Sequence, residues 1–416
     1  MKRICWGIMS IIFLVIFSAC ASDTQTTSSP SPDDLKNTDW SDIEQKSNET
    51  TVRIYMWGGD EGINRYMDEW VAPRLKEQYD LNLERVAMDT PEQLKKLRNE
   101  KKANQTKGNM DIIWINGENF KNAKENDLLF GPFSNQLPNV QEFVDNEALD
   151  VTYDFGTKVD GFEAPWGKVQ FVFQYDESKV ENPPKTYSEL MRWVKENPGK
   201  FTYPDPTDFT GNAFLRQVFY ESVGDVQKIL DKGYDEQFAS DNSQMMWDYL
   251  SEIEPYLWRE GQTYPNDLNE LDRLYSEGEV WMTMGYNEAR AEKFIDNGIF
   301  PETTKSFILE SGSIGNTHFL AIPFNSPNKQ GAMVAINFLL SPNAQLAKLD
   351  STYWGDNIAL DPGALSQEDK EKLSKIDRGD SVLPAETLKK YMKPEIHAEY
   401  VTWLKENWVN EVVQTK

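Results

Sequence analysis

The chain has 416 residues, 39% of them hydrophobic, and a formal net charge of −25 from 68 acidic and 43 basic residues. That length exceeds one ordinary domain and allows two or more, each with its own core. The acidic balance argues against nucleic acid as a partner, because such a surface repels a phosphate backbone; it otherwise describes a soluble, self-repelling exterior.

Met1, Lys2 and Arg3 form a short basic start, and residues 8–17 (IMSIIFLVIF) an almost unbroken apolar run. Small residues Ser18 and Ala19 then precede Cys20. This is the order of an export signal, and the run is shorter than the ~20 residues that span a bilayer. The small-small-Cys ending resembles a bacterial lipobox, with Phe17 where leucine is usual. The resemblance implies that residues 1–19 are removed and that Cys20 is lipidated, for instance palmitoylated, at the new N-terminus. An uncleaved anchor with a chance cysteine is the alternative. The mature chain would keep Cys20 alone, without an internal disulfide or a cysteine metal site. Residues 20–50 open with the polar stretch CASDTQTTSSPSPDD, which predicts a flexible tether.

The folded body is expected from residue 51. In TVRIYMW, Val52, Ile54 and Met56 alternate with Arg53, Tyr55 and Trp57, the pattern of a strand. Gly58 and Gly59 make a turn, and Ile63, Tyr66, Met67, Trp70, Val71 and Leu75 then mark one face of a helix, which Pro73 should kink or shorten. LNLERVAM predicts a second strand, residues 91–104 a helix with Leu94 and Leu97 inward, and DIIWIN a third strand with a helix from about Asn119. Strands starting near residues 52, 81 and 111 with helices between them give the βαβ rhythm of an open parallel sheet. Ligands on such sheets lie beyond the carboxyl ends of the strands, here at Trp57-Gly58-Gly59 and at Asn116-Gly117-Glu118-Asn119.

FEAPWGKVQFVFQYDESKV, with Pro165-Trp166-Gly167, predicts a strand crossing into a second domain. Ser188 is a candidate N-cap for a helix with Leu190, Trp193 and Val194 inward, followed by a short strand at residues 201–203. Another helix is expected near Thr210-Gly211-Asn212. GEVWMTMGYNEARAEKF repeats the order strand, glycine, polar turn, helix, and SIGNTHFLAIPFN predicts a second crossing strand. A helix with Ala332, Ala335, Ile336 and Leu339 on its buried side follows, then YWGDN in a loop. A last amphipathic helix carries Ile396, Tyr400, Leu404 and Trp408.

This order of parts, lipobox, tether, βαβ half, crossing strand, second α/β half, return strand and the FLLSPNAQ helix, resembles an extracellular solute-binding protein of an ABC importer over residues 51–416. WGGDEGINRYMDEWVAPRLKEQY, DIIWINGENF, APWGKVQFV and YWGDN resemble the YnjB-type branch of that class more narrowly. The resemblance implies a two-lobe, type II periplasmic-binding-protein-like α/β fold, each lobe a mixed sheet flanked by helices. Residues 51–167 with 312–346 would form one lobe, and 168–311 with 347–416 the other. It further implies a monomer, lipid-anchored to the outer face of the cytoplasmic membrane, that closes on one small solute and docks on the permease and ATPase subunits of an importer.

The loops facing such a cleft are rich in rings and amides. Trp57, Trp166 and Tyr286 would stack on the solute; Asn116, Glu118, Asn119, Asn287, Glu288 and Asp356 would hydrogen-bond it or pair its charge. Each has a structural alternative: hinge packing for the tryptophans, dipole complementation for Glu118, capping for Asn119, a turn role for Tyr286 and Asn287. Asp60, Glu61 and Glu118 already put negative charge where a helix N-terminus would attract an oxyanion. An organic cation, thiamine-like or polyamine-like, is therefore favoured, with a sugar close behind. A carboxylate-based glycosidase is the enzymatic alternative. With two histidines (His318 and His397) and no HExxH, GxSxG, P-loop or GxGxxG motif after a strand, the sequence predicts a binder with no cofactor, no metal and no chemistry of its own.

Overall fold

The computed structural model describes residues 31–413; the expected signal, Cys20 and the first part of the tether lie outside them. Strands Thr51–Met56 (β1), Asn82–Ala87 (β2) and Ile112–Ile115 (β3) pair in parallel, with β1 between the other two. Their alternation decides their placement. Val52, Ile54 and Met56 are fully buried in one core, and Tyr55 and Ile113 in another on the opposite face. Both faces are covered, as parallel strands require. The helical segment after β1 runs from Glu61 to Tyr79 and widens into a π turn over Tyr66–Val71. Pro73 follows that turn, where the loosened hydrogen-bond ladder accepts a residue without an N–H.

Glu163–Gln170 (β4) carries the chain out of the first sheet and Val172–Asp176 (β5) carries it into the second. Met282–Gly285 (β6) and Thr304–Phe307 (β7) flank β5; Ser313–Pro323 (β8) returns and Asn357–Ile358 (β9) edges the first sheet. The first sheet runs β9–β4–β8–β3–β1–β2, and the second runs β7–β5–β6. Both expected crossing strands are thus present, and they lie antiparallel to each other because one leaves the first lobe and the other re-enters it. The same traffic makes the second sheet antiparallel in both its pairings, where a mixed sheet was expected.

Two large cores define the lobes. One gathers β1, the flanking helices, Trp166 and Leu320; the other gathers Phe173, Tyr203, Phe214 and Leu250. The helix Lys329–Leu339 buries Ala332, Ala335, Ile336 and Leu339 as its pattern requires, and Ala398–Trp408 buries Tyr400, Leu404 and Trp408. No described helix is long and apolar enough to cross a membrane.

Several boundaries differ from the sequence reading. The end of the expected tether is folded: Trp40–Ser47 is a helix packed on Lys329–Leu339, with Ile43 buried. The expected second-lobe tail divides. Trp354, Ala359, Leu360 and Leu365 join the first core because β9 pairs with β4, whereas Ile396, Trp403 and Val412 join the second. Thr186, not Ser188, caps the helix Tyr187–Glu196, accepting the Glu189 N–H. Residues 201–203 form no strand; Phe201 and Tyr203 are buried in the second core instead.

Candidate functional site

Three pieces of chain meet beside the crossing strands. The loop after β3 enters the helix Gly117–Glu125 through Asn116, and Gly117 has φ +60°. Its N–H donates to Asp154 Oδ2 at 2.6 Å, and a Cβ on it would come within 3.3 Å of the Phe155 ring. That fixes the small hairpin Tyr153–Asp154/Thr157–Lys158 against the first lobe. From the second lobe, Met392–Lys393 pairs with the start of β8 and so delivers Pro394, Glu395 and His397 to the same place. Between them lies a cavity of about 270 Å³. Asp150, Tyr153, Asp154 and Phe155 line it from one lobe, Asp231, Glu395 and His397 from the other, and Asn316, Thr317 and Phe319 from β8. Among the described residues, no lysine or arginine lines it.

Glu395 joins this cavity to a buried network. Its two oxygens accept from Arg216 Nε at 3.1 Å and Nη2 at 3.2 Å, and Oε1 also accepts from the Tyr286 hydroxyl. Arg216 Nη2 donates to the Tyr286 oxygen at 2.9 Å and Nη1 to Asn212 Oδ1 at 2.7 Å. Its guanidinium lies over Phe155 at 5.4 Å and Phe209 at 5.6 Å, the first ring from one lobe and the second from the other. Asn316, itself bonded by Asn116 at 3.2 Å, also hydrogen-bonds Glu395. Burial raises the Glu395 carboxyl against the pull of Arg216, and raises Asp154 well above the usual carboxylate range. Burial lowers His397, so its neutral ring faces the cavity. The lobes are further bridged by Lys293 to Asp60 and by Lys121 to Glu399.

The chain matches the bacterial extracellular solute-binding protein family over residues 70–369. It is also 37% identical over 374 residues to protein YnjB of Escherichia coli (strain K12), covering 89% of this chain and 93% of that one. The chain belongs to this family. Solved structures similar to this family member include the spermidine/putrescine substrate-binding protein PotD of Streptococcus pneumoniae, with a TM-score of 0.60, 15% identity, and 87% of this chain and 98% of that one covered. The fructose-6-phosphate-bound AfuA of Actinobacillus pleuropneumoniae has a TM-score of 0.59 and 14% identity, covering 88% of this chain and 100% of that one. At such identities these likenesses show the two-lobe type II fold alone.

Within this solute-binding fold, the residues singled out from sequence separate into groups. Asn116 and Tyr286 reach the cavity wall through Asn316 and Glu395. Trp57 is 45% exposed beyond β1, and its indole lies so close over Gly59 that a Cβ there would clash at 2.4 Å; a Cβ on Gly58 would meet Ala87 at 2.7 Å. These glycines are required by close packing, with no anion needed to explain them. Asp60 accepts from the Gly62 and Ile63 N–H groups, so its charge is spent on its own helix and on Lys293. Glu118 is exposed in a first helical turn; Asn119 is half-buried in that turn, and the cap position belongs to Asn116. Asn287 has φ +64° and accepts the Ala289 N–H at 3.1 Å, which is a turn role.

Trp166, Glu288 and Asp356 do not line the cavity. All three are fully buried and held by the protein itself. Trp166 packs with Trp114, Trp354 and, through Trp114, His318, while the ammonium of Lys348 lies 5.1 Å over Trp354 and 2.8 Å from Asp356. Rings and a carboxylate do surround a cation there, but it is the chain's own. Burial raises Asp356 to about 6, lowers Lys348 and lowers His318 to about 3. Glu288 accepts from the Gln170 N–H at 3.1 Å, from Arg378 at 3.0 Å and from Asn357.

Phe155, Phe209, Arg216, Thr317 and Glu395 escaped the sequence reading. Arg216 did leave a signal: it is a lone cation within the apolar helix Phe209–Val223, nearly all of which is buried. Such a residue is kept in an interior only with a partner.

Proposed function

We propose that this family member is a lipid-anchored receptor of an ABC importer that captures a compact organic cation in the cavity between its lobes and hands it to a permease. Membership of the extracellular solute-binding family supports the receptor role. One observation carries the choice of solute: the cavity has carboxyl groups on both lobes, rings at Tyr153, Phe155 and Phe319, and, among the described residues, no lysine or arginine in its lining. Faces of aromatic rings and carboxylates attract cations, and carboxylates repel free oxyanions. A volume of about 270 Å³ lies just below the usual small-molecule range of roughly 300–1,000 Å³, which suits a small guest. PotD, named for polyamines, and AfuA, named with a sugar phosphate, lend the fold to either chemistry, and the lining favours the cation. The receptor has no chemistry of its own; ATP hydrolysis belongs to partner subunits.

A thermal-shift panel of thiamine, polyamines, neutral sugars, sulfate and phosphate tests this reading. A solute at a hundred times its Kd adds about 2.7 kcal/mol of stability. The cations are expected to raise Tm while sugars and oxyanions leave it unchanged. Stabilisation by a sugar alone would replace the solute class, and turnover of any compound would replace the receptor role.

A further inference from the structure

The cavity lining contains four carboxylates, and three of them are already answered. Asp150 pairs with Lys168 at 2.6 Å. Glu395 is bidentate to Arg216, whose side chain is wholly buried. Among the described residues Asp154, 2% exposed, accepts from the Gly117 N–H alone, and it lies near Glu163, a buried acid whose two oxygens find no partner there. A carboxyl so placed keeps its proton, because an isolated buried charge is the costlier form. Asp231 remains: exposed at the cavity edge, bonded by the Gln227 amide at 2.6 Å and paired with no lysine or arginine among the described residues. A second feature points to a guest. Thr317 lines the cavity, is 5% exposed, and its hydroxyl has no hydrogen-bond partner among the described residues. A buried hydroxyl without a partner is costly unless something that enters completes it.

We propose that the solute carries a single positive charge and a group that hydrogen-bonds Thr317, and that Arg216 sets this preference by cancelling the charge of Glu395. This inference rests on the cation reading and narrows it. With Arg216 in place, the cavity wall offers one uncancelled carboxylate, so a dication would bring a second charge that must leave water unanswered. The guanidinium cannot retreat without abandoning Glu395, Tyr286, Asn212 and two rings at once. Arg216 is thus a specificity residue that acts through Glu395.

Titration calorimetry with thiamine, which has one fixed charge, and with putrescine, which has two, measures the preference as a ratio of Kd values. Wild type is expected to favour thiamine. Arg216→Met fills most of the space and leaves Glu395 without its counter-charge, free to ionise when a second cationic group enters, and is expected to move the ratio at least about tenfold towards putrescine. The double variant R216M/E395Q removes both charges and is expected to restore the wild-type ratio, which a purely packing role for Arg216 would not do. Should R216M fail to fold, Asp231→Asn at the exposed edge serves instead, with an expected loss of about fivefold for thiamine. Thr317→Val is expected to weaken thiamine while leaving the charge ratio in place. An unchanged ratio in R216M, or unchanged thiamine affinity in D231N, overturns the inference while leaving a cation receptor standing. Failure of wild type to bind either cation while it binds a sugar overturns the cation reading itself.

Discussion

Replacing Lys348 by methionine tests whether Asp356 and Trp166 are interior structure. The ammonium is fully buried, donates to Asp356 Oδ2 at 2.8 Å and to the Asn357 carbonyl, and lies over Trp354. Methionine keeps most of the stem but strands Asp356, whose Oδ1 already lacks a hydrogen-bond partner. Breaking a buried pair from one side costs about 3–5 kcal/mol, whereas replacing both members by neutral groups of similar shape is often close to neutral. Part of that cost is relieved if Asp356 takes up a proton, a change made easier by its carboxyl already standing at about 6. The expectation is therefore a loss of about 3 kcal/mol for K348M at pH 8 and a recovery of more than half of it in K348M/D356N. Urea unfolding followed by tryptophan fluorescence is the assay, because Trp114, Trp166 and Trp354 wall the same box. Solute affinity should be unchanged in both variants that fold. A loss below about 1 kcal/mol for K348M, or additive losses in the double variant, would refute the reasoning.

Other predictions concern pH, the lobes and the loop carboxylate. The folded pKa of His318 is about 3 against an unfolded value of about 6.5, so its contribution is fully present above pH 6.5 and is lost as pH falls towards 3. Asp356, raised to about 6, works in the other direction between about pH 6 and 4. The two slopes should largely cancel there, and a His318→Gln variant should gain stability relative to wild type as pH drops from 6.5, up to about 1.4 kcal/mol per pH unit, by urea unfolding. Lys293→Gln removes a half-exposed bridge between lobes and should cost less than about 1 kcal/mol of stability, with solute dissociating a few-fold faster by stopped flow. Glu118→Gln should leave the solute Kd within about twofold, since Glu118 is exposed and does not line the cavity; a tenfold change would return it to the site.

The architecture was legible because it is written in local periods. Val52, Ile54 and Met56 alternate, and Leu94 and Leu97 recur at helical spacing, so strands and helices follow from neighbours in sequence. The apolar-rich stretch VQFVFQY across the end of β4 and β5, and FLAIP in β8, marked the crossing in the same way. The site was less legible because its contacts are not local. Arg216 meets Glu395 across 179 positions and Asn116 meets Asn316 across 200. Nothing near Asp356 in YWGDN reveals that Lys348 will be folded back onto it from the preceding helix. Rings and carboxylates do gather around a cation at two of the places the loops marked, but there the cation is an internal lysine or arginine. Asn116 rather than Asn119 begins its helix for a similar reason: Gly117 can adopt φ +60° and give its N–H to Asp154, a partner 37 residues away.

Titration of the unliganded protein with thiamine, a neutral sugar and inorganic phosphate in the same buffer tests the central claim most directly. The account predicts one-to-one binding of thiamine, weakened by Asp231→Asn, and no heat from the other two. Tight uptake of phosphate by the wild-type protein would contradict it.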